Sequence, residues 1–376
     1  MQQKNNRREF LKKGVVTTLS AGLGALSVSS CQIDKIKEKA SINITSDKKY
    51  QWILVTTWPP KFPVFGEALD MLARTVKTCS AGRMEIKVMG AGELIPALEC
   101  FDAVSQGAAQ IASGVSYYWS GKLPAAQFFA AIPFGMNAQQ MNAWIINGGG
   151  LKLWEELYAE HDLIPIPGGN TGVQMGGWFK KEINSIEDIK GLKMRMPGLG
   201  GKVLAKAGGI VVLSPGNELY TNLERGIIDA TEWIGPYHDY TMGFYSVAPY
   251  YYYPGWHEPG PMLEMIVNKS KFEALPLDLQ EIIRNAIYRM SLWILGEFEA
   301  KNNFYLKKLV QEEDTKLKKY PDEVLAKLKV YSQEVIEEII AKDAPSKKVY
   351  ESFLSFRKDI SEWSKVTEKV FYDAIL

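Results

Sequence analysis

Along this 376-residue chain the spacing of apolar residues switches repeatedly between two periods. Residues 51–57 (QWILVTT) form a short apolar, β-branched run stopped by Trp58-Pro59-Pro60, the pattern of a buried strand ending in a loop. In the next segment Val64, Phe65, Ala68, Leu69, Leu72, Ala73 and Val76 fall on one helical face, closed by Ser80-Ala81-Gly82. Further strands are expected at 85–89, 164–167, 175–179, 193–196, 210–213, 229–233 and Met262–Asn268, and helices at 96–106, 201–207 and 217–225. Short strands alternating with amphipathic helices predict an α/β fold with mainly parallel sheets.

From Leu277 onward only the helical period remains. Ile283, Ile287, Met290, Ile294 and Phe298 carry a proline-free helix over Leu277–Glu312, about 50 Å long at 1.5 Å per residue and able to span two small domains. A second helix is expected over 321–342 and a third over 346–365. In the third, Val349, Phe353, Phe356, Ile360 and Trp363 make a seam narrower than an ordinary core stripe. Such a seam suits either a second copy of the chain or the long helix of the same chain, and hydrophobicity alone does not choose between them.

The first thirty residues stand apart from this pattern. Asn6-Arg7-Arg8-Glu9-Phe10-Leu11-Lys12 resembles a twin-arginine export signal, and residues 14–28 are too short and too weakly apolar to span a bilayer. Val28-Ser29-Ser30-Cys31 resembles a lipobox, which would make Cys31 the lipidated first residue of the exported protein; cleavage nearby with Cys31 unmodified is the alternative. Residues 31–49, polar and without apolar period, read as a tether. The leader thus directs the protein to the periplasm. There Cys79 and Cys100 either bridge or remain separate thiols, since sequence does not fix the distance between them.

Composition and motif spacing narrow the chemistry. The chain is 46% hydrophobic and 23% charged, and 44 Lys and Arg against 43 Asp and Glu leave a formal charge of +1. The basic excess lies in the leader, at Lys4, Arg7, Arg8, Lys12 and Lys13, so no field for nucleic acid is present. His161, His238 and His257, without H-E-x-x-H or Cys-x-x-Cys, supply little for a zinc site, and no G-x-S-x-G elbow occurs. Residues 196–203 (MPGLGGKV) lack the first glycine and the final Ser or Thr of a P-loop, and the dinucleotide fingerprint fails at Val203. What remains is a strand ending at Arg195, a Pro-Gly turn and a helix start near Gly200, which together offer a guanidinium and backbone N–H groups to a small anion. An arginine in a surface ion pair is the plainer alternative. Amides among glycines in residues 168–179 (GGNTGVQMGGWF), and carboxylates beside aromatics at Glu232-Trp233 and Trp256-His257-Glu258, favour the ligand site. An exported enzyme would need a general base, for which Glu232 with His257 or His238 is the available grouping; a ligand-sensing lipoprotein without transport is a third possibility.

Residues 184–198 (NSIEDIKGLKMRMPG) and 223–230 (LERGIIDA) resemble the solute-binding proteins of TRAP transporters, the DctP-like family, and the resemblance runs from about Tyr50 to the C-terminus. Residues 116–119 (SYYW), 170–179 and 232–236 are most similar to the branch that binds 2-oxoacids or lactate with a metal cation. The resemblance implies no enzyme but a two-domain, periplasmic-binding-protein-like (type II-like) α/β fold closing over a small monocarboxylate. Residues 50–171 plus 234–255 would form one domain, 172–233 plus 256–320 the other, and 321–376 a C-terminal helical extension. It places the carboxylate-gripping arginine on Arg195. Metal coordination falls on Gln174 through its amide oxygen, Glu232 through its carboxylate, Trp233 through its backbone carbonyl, and Glu258. Asn170 and Tyr118 would hydrogen-bond the ligand, with Tyr117 competing for the place of Tyr118. The expected partners are TRAP membrane subunits and a second copy joined through the C-terminal helices. Chelation of a hard cation by one carboxylate oxygen and the adjacent keto or hydroxy oxygen accounts for a preference for 2-substituted acids. The ligand and two glutamates against one arginine leave two negative charges, which Ca²⁺ would neutralise; the resemblance points instead to Na⁺, and both ions stay open.

Overall fold

The computed structural model describes residues 48–375. The twin-arginine leader, Cys31 and the tether up to Asp47 lie outside the described residues.

Eleven strands are described: β1 (Tyr50–Thr56), β2 (Met84–Met89), β3 (Ile111–Gly114), β4 (Leu163–Asn170), β5 (Gly177–Phe179), β6 (Lys193–Arg195), β7 (Ile210–Val212), β8 (Ala230–Thr231), β9 (Tyr250–Tyr253), β10 (Met262–Asn268) and β11 (Lys316–Lys319). They form a five-stranded sheet ordered β2-β1-β3-β10-β4 and a six-stranded sheet ordered β11-β9-β5-β8-β6-β7. The α/β class is as expected, but the sheets are mixed rather than mainly parallel. Strands joined within a sheet through a helix, such as β1 with β2 and β6 with β7, pair in parallel. Where the chain passes directly between sheets, from β4 to β5 and from β9 to β10, no crossover helix turns it round. Accordingly, β10 is antiparallel to β3 and β4, and β5 to β8 and β9.

This pairing also corrects the expected grouping of segments. Residues 250–253 belong to the second sheet and 262–268 to the first, the reverse of assigning 234–255 to the first domain and 256–320 to the second. The unalternating aromatic run of β9 hides its strand character, so the crossing after Tyr253 is invisible in the hydrophobic pattern. Two expected strands are shorter than their apolar runs. Residues 175–176 and 232–233 leave the ladder at the ends of β5 and β8, and both stretches serve the site described below.

Along β1, Leu54 and Val55 are both fully buried, on opposite faces of the first sheet. Leu54 packs with the helix Phe65–Cys79 and with Ile283, Ile287, Met290, Ile294 and Phe298 of the helix Leu277–Glu312. That helix lies against β4 in the first sheet and against the short helix Pro236–Thr241 that follows β8, so it ties both halves together. Each large side chain buried this way contributes about 1.5–3 kcal/mol. Between residues 107 and 163, where the pattern alone predicts nothing, lie β3 and the helices Ala138–Asn147 and Gly150–Ala159. The first of these starts with a capping box: Gln140 N donates to Asn137 Oδ1 at 3.0 Å and Asn137 N to Gln140 Oε1 at 3.2 Å.

The C-terminal seam divides in two. In the helix Ala344–Val366, Val349 and Phe353 are buried on their own chain, Phe353 edge-on to Trp144 with ring centroids 5.3 Å apart. This half covers the helices Ala138–Asn147 and Gly150–Ala159 instead of the long helix. From Trp363 through the helix Glu368–Ile375 the apolar side chains are exposed. Cys79 and Cys100 are separate thiols, the first exposed and the second buried. No described helix is long and apolar enough to cross a membrane.

Candidate functional site

The parallel pairing of β6 with β8 sets Arg195 opposite Thr231, so the next residue, Glu232, lies beside the guanidinium. Arg195 is buried, and one Nη donates to Glu232 Oε1. Its Nε donates to the Ser214 carbonyl at 3.3 Å and its other Nη to the Tyr118 hydroxyl at 3.3 Å. The Trp233 ring lies 5.4 Å from the guanidinium carbon. Burial works to lower the pKa of Arg195, but Glu232 and the two tyrosines outweigh it and raise the pKa, so the group stays charged.

The connection from β4 to β5 supplies Gln174, and the connection from β9 to β10 supplies His257 and Glu258. Their backbones are bonded to each other and to the segment after β8. Gln174 N donates to the Glu258 carbonyl at 3.2 Å, Gly255 N to the Gln174 carbonyl at 3.0 Å, and Met175 N to the Ile234 carbonyl at 3.0 Å. Gly255 is required by this approach, since a Cβ there would stand 2.2 Å from the Gln174 carbonyl oxygen. Ligand atoms of Glu232, His257 and Glu258 come within 4.8 Å of one another, with His257 Nε2 3.4 Å from Glu232 Oε2. Burial first, and the neighbouring Glu232 second, push Glu258 well above the ordinary carboxyl range.

Two of these groups show what the site can hold. Glu258 Oε2 and Gln174 Oε1 are buried without a hydrogen-bond partner, while the Gln174 amide nitrogen donates to Thr171 Oγ1 at 3.2 Å. The push on Glu258 toward its neutral form means that a positive charge is wanting beside it, and its unpartnered oxygen with that of Gln174 forms a donor set suited to a hard cation. The residues therefore fit the expected metal. Arg195, Gln174 and Glu258, with Tyr117, Tyr118 and Thr171, face a small cavity closed by apolar Trp58, Phe65, Val115, Ile234 and Leu263, with Trp233 also on its wall. Its free space is about 10 Å³, the room of one water.

Arg195, Glu232, Trp233, Gln174, Glu258, Tyr117 and Tyr118 are thus brought together. Asn170 is not among the residues that line the cavity. Its Oδ1 accepts from Gly172 N at 2.9 Å and its Nδ2 donates to the Gly260 carbonyl at 3.1 Å, so its polar ends are used in holding the turn. Of the two histidines weighed as general bases, only His257 reaches Glu232. His238 Nε2 contacts the Pro63 carbonyl at 2.8 Å among Phe62, Phe65 and Phe298, and burial pushes its pKa down to about 3. Thr171, Ser214 and the apolar wall carry no motif and are unreadable from sequence; only the glycine-rich setting of Thr171 marked its segment.

Residues 54–343 match the family of bacterial extracellular solute-binding proteins, family 7 (DctP). The chain is 41% identical over 362 residues, 96% of each protein, to a monocarboxylate 2-oxoacid-binding periplasmic protein of Nostoc sp. (strain PCC 7120). It is also similar to two solved TRAP periplasmic solute-binding proteins, each 41% identical with a TM-score of 0.85. One, from Pseudoalteromonas atlantica T6c, holds sodium and pyruvate and is covered fully by 88% of this chain. The other, from Colwellia psychrerythraea, holds calcium and pyruvate and is covered fully by 87%. Such proteins are receptors of transporters and not enzymes, which removes the general-base reading of Glu232 and His257. With its two sheets, its bridging helix and a site walled by the strand connections, the chain belongs to the DctP family of extracytoplasmic TRAP solute-binding proteins.

Proposed function

We propose that the protein captures a small 2-oxo or 2-hydroxy monocarboxylate, pyruvate-like or lactate-like, together with Na⁺ or Ca²⁺, for delivery to TRAP membrane subunits. The observation that carries this reading is the juxtaposition of a buried guanidinium with two unpartnered buried oxygens, Gln174 Oε1 and Glu258 Oε2, around one apolar-walled cavity. Arg195 takes the ligand carboxylate through its planar fork. Gln174, Glu232, Glu258 and the Trp233 carbonyl would hold the cation, and the acid would chelate it through a carboxylate oxygen and its 2-oxygen. Tyr118 completes the hydrogen bonding to the carboxylate end. Relatives bound to pyruvate with either ion support the ligand class and leave the choice of ion to experiment. Calorimetry with pyruvate and lactate, in metal-free buffer and then with Na⁺ or Ca²⁺, tests the reading. Metal-dependent binding of one of these acids is expected, and binding of neither under any ion condition overturns it.

Export by the twin-arginine route and lipid attachment at Cys31 complete the proposal, resting on Arg7-Arg8 and Val28-Ser29-Ser30-Cys31. The protein further forms a homodimer through its C-terminal helices. Trp363, Val366, Val370, Phe371 and Ile375 are exposed together at the end of the last helices, and a groove of about 400 Å³ with Leu123, Leu153, Leu157 and Val349 on its floor and Glu156, Glu160 and Lys348 at its rim offers the same helices of a second copy a place to pack.

A further inference from the structure

Two buried carboxyl groups outside the cavity share one arrangement, one in the first sheet and one in a helix bonded to side chains of the second. Glu264 of β10 accepts from the Trp119 indole N–H and, at 2.9 Å, from the Tyr158 hydroxyl. Asp239 of the helix Pro236–Thr241 accepts from the Trp178 indole N–H at 3.0 Å and from the Tyr251 hydroxyl at 2.6 Å. Neither has a cationic partner among its hydrogen-bond donors. Burial pushes Glu264 up to about 8 and Asp239 to about 7. A carboxyl in such surroundings costs stability relative to a well-packed apolar residue, so its contribution is sought in geometry.

The connections from these groups lead to different parts of the site. Trp119 ends the Ser116–Trp119 turn, which carries Tyr117 and Tyr118 into the cavity, and Tyr118 meets Arg195. A register shift between Leu263 and Glu264 interrupts the β4–β10 ladder; Leu263 lines the cavity while Glu264 reaches Trp119. Asp239 Oδ1 instead accepts from Ile234 N at 3.3 Å, directly after Glu232-Trp233. The Ile234 carbonyl in turn accepts from Met175 N, next to Gln174.

We infer that Glu264 and Asp239 are positioning residues that act separately, Glu264 setting the tyrosine turn for the acid and Asp239 setting the Trp233–Ile234 and Gln174 backbones for the cation. The inference rests on the proposed binding of a 2-oxoacid with a cation. Asp239→Asn keeps the shape but replaces an acceptor oxygen with an amide, which cannot accept from Trp178, Tyr251 and Ile234 together. Glu264→Gln leaves a single acceptor oxygen where two oxygens serve Trp119 and Tyr158 separately, and its amide either opposes the indole N–H or reverses the bond to the Tyr158 hydroxyl.

Calorimetry on the folded proteins separates the roles by titrating Ca²⁺ and Na⁺ without acid, then pyruvate at saturating cation. Asp239→Asn is expected to weaken cation binding without acid by about tenfold or more, and Glu264→Gln to leave it within about twofold. Glu264→Gln is expected to weaken pyruvate at saturating cation by about tenfold, more than Asp239→Asn does under the same condition. Equal losses for both ligands in both variants, or losses below about twofold in both, overturn the inference. Should either variant fail to fold, Tyr251→Phe and Tyr158→Phe remove one hydroxyl each and must show the same split at smaller amplitude. Wild-type protein that binds neither acid nor cation would count against the proposed function instead, which keeps the two failures distinct.

Discussion

Arg195 has its fork engaged by Glu232 and Tyr118, so an arriving carboxylate competes with Glu232 for the same N–H groups. Removing the guanidinium takes away the positive charge that faces both Glu232 and the ligand carboxylate. Arg195→Ala should weaken acid binding by about 2–5 kcal/mol, and Arg195→Lys should lose much of it because an ammonium lacks the planar fork. Titration with pyruvate and lactate measures both, and near-native affinity in Arg195→Ala would put the anion elsewhere. Glu264 yields a stability prediction of definite sign. Its folded pKa of about 8 lies above the ordinary 4.5, so between those values the folded protein holds a proton that the unfolded chain has released. Its contribution is therefore fully present below about pH 4.5 and declines as pH rises through about 8. Glu264→Gln removes this titration, and the fall in thermal midpoint between about pH 5 and pH 8 should be shallower than in the wild type. Equal slopes would show that Glu264 does not titrate differently on folding.

Among the elements, the helix Ala344–Val366 joins the fold at one end and leaves it at the other. Phe353 is fully buried against Trp144, and Phe356 lies so close to Gly148 that a Cβ added there would be 2.7 Å from its ring. Phe353→Ala should cost about 3–5 kcal/mol in chemical denaturation, the ordinary loss for a truncated core aromatic. A chain ending at Asp343 would uncover this part of the core, whereas one ending at Ser361 removes the exposed end and the hydrogen bond that joins it to the body, from Gln140 to Ser364. Sedimentation should show the chain ending at Ser361 as a folded, ligand-competent monomer and the full-length protein as a dimer. Full-length protein that is already monomeric at micromolar concentration ends the dimer proposal. The seam was visible in sequence as Val349, Phe353, Phe356, Ile360 and Trp363. Its division was not, because the period of a helix gives the direction of each side chain but not which surface lies opposite.

At the scale of the whole molecule, an acid cannot reach a buried space of about 10 Å³ unless the two halves part and Glu232 yields its place on Arg195. If the acid completes the shell of the cation, each must raise the affinity of the other by the same factor. Chelator-treated protein should bind pyruvate weakly until Na⁺ or Ca²⁺ is restored, and the double variant Glu232→Ala, Gln174→Ala should lose that coupling. Equal acid affinity with and without cation, measured by calorimetry, would falsify the chelate. The sequence by itself determined the α/β class and the long helix, because apolar periodicity is a local property, and it brought forward Arg195, Gln174 and Glu232 as candidates from segments that resemble the family, and Glu258 as a carboxylate beside an aromatic. Only the tertiary structure decided that β9 and β10 change sheets, that Asn170 holds a turn, and that Glu264 and Asp239 support the site from outside it. Each of these depends on pairing between residues far apart in the chain, and such pairing is set by what the folded molecule brings opposite, which no local pattern records.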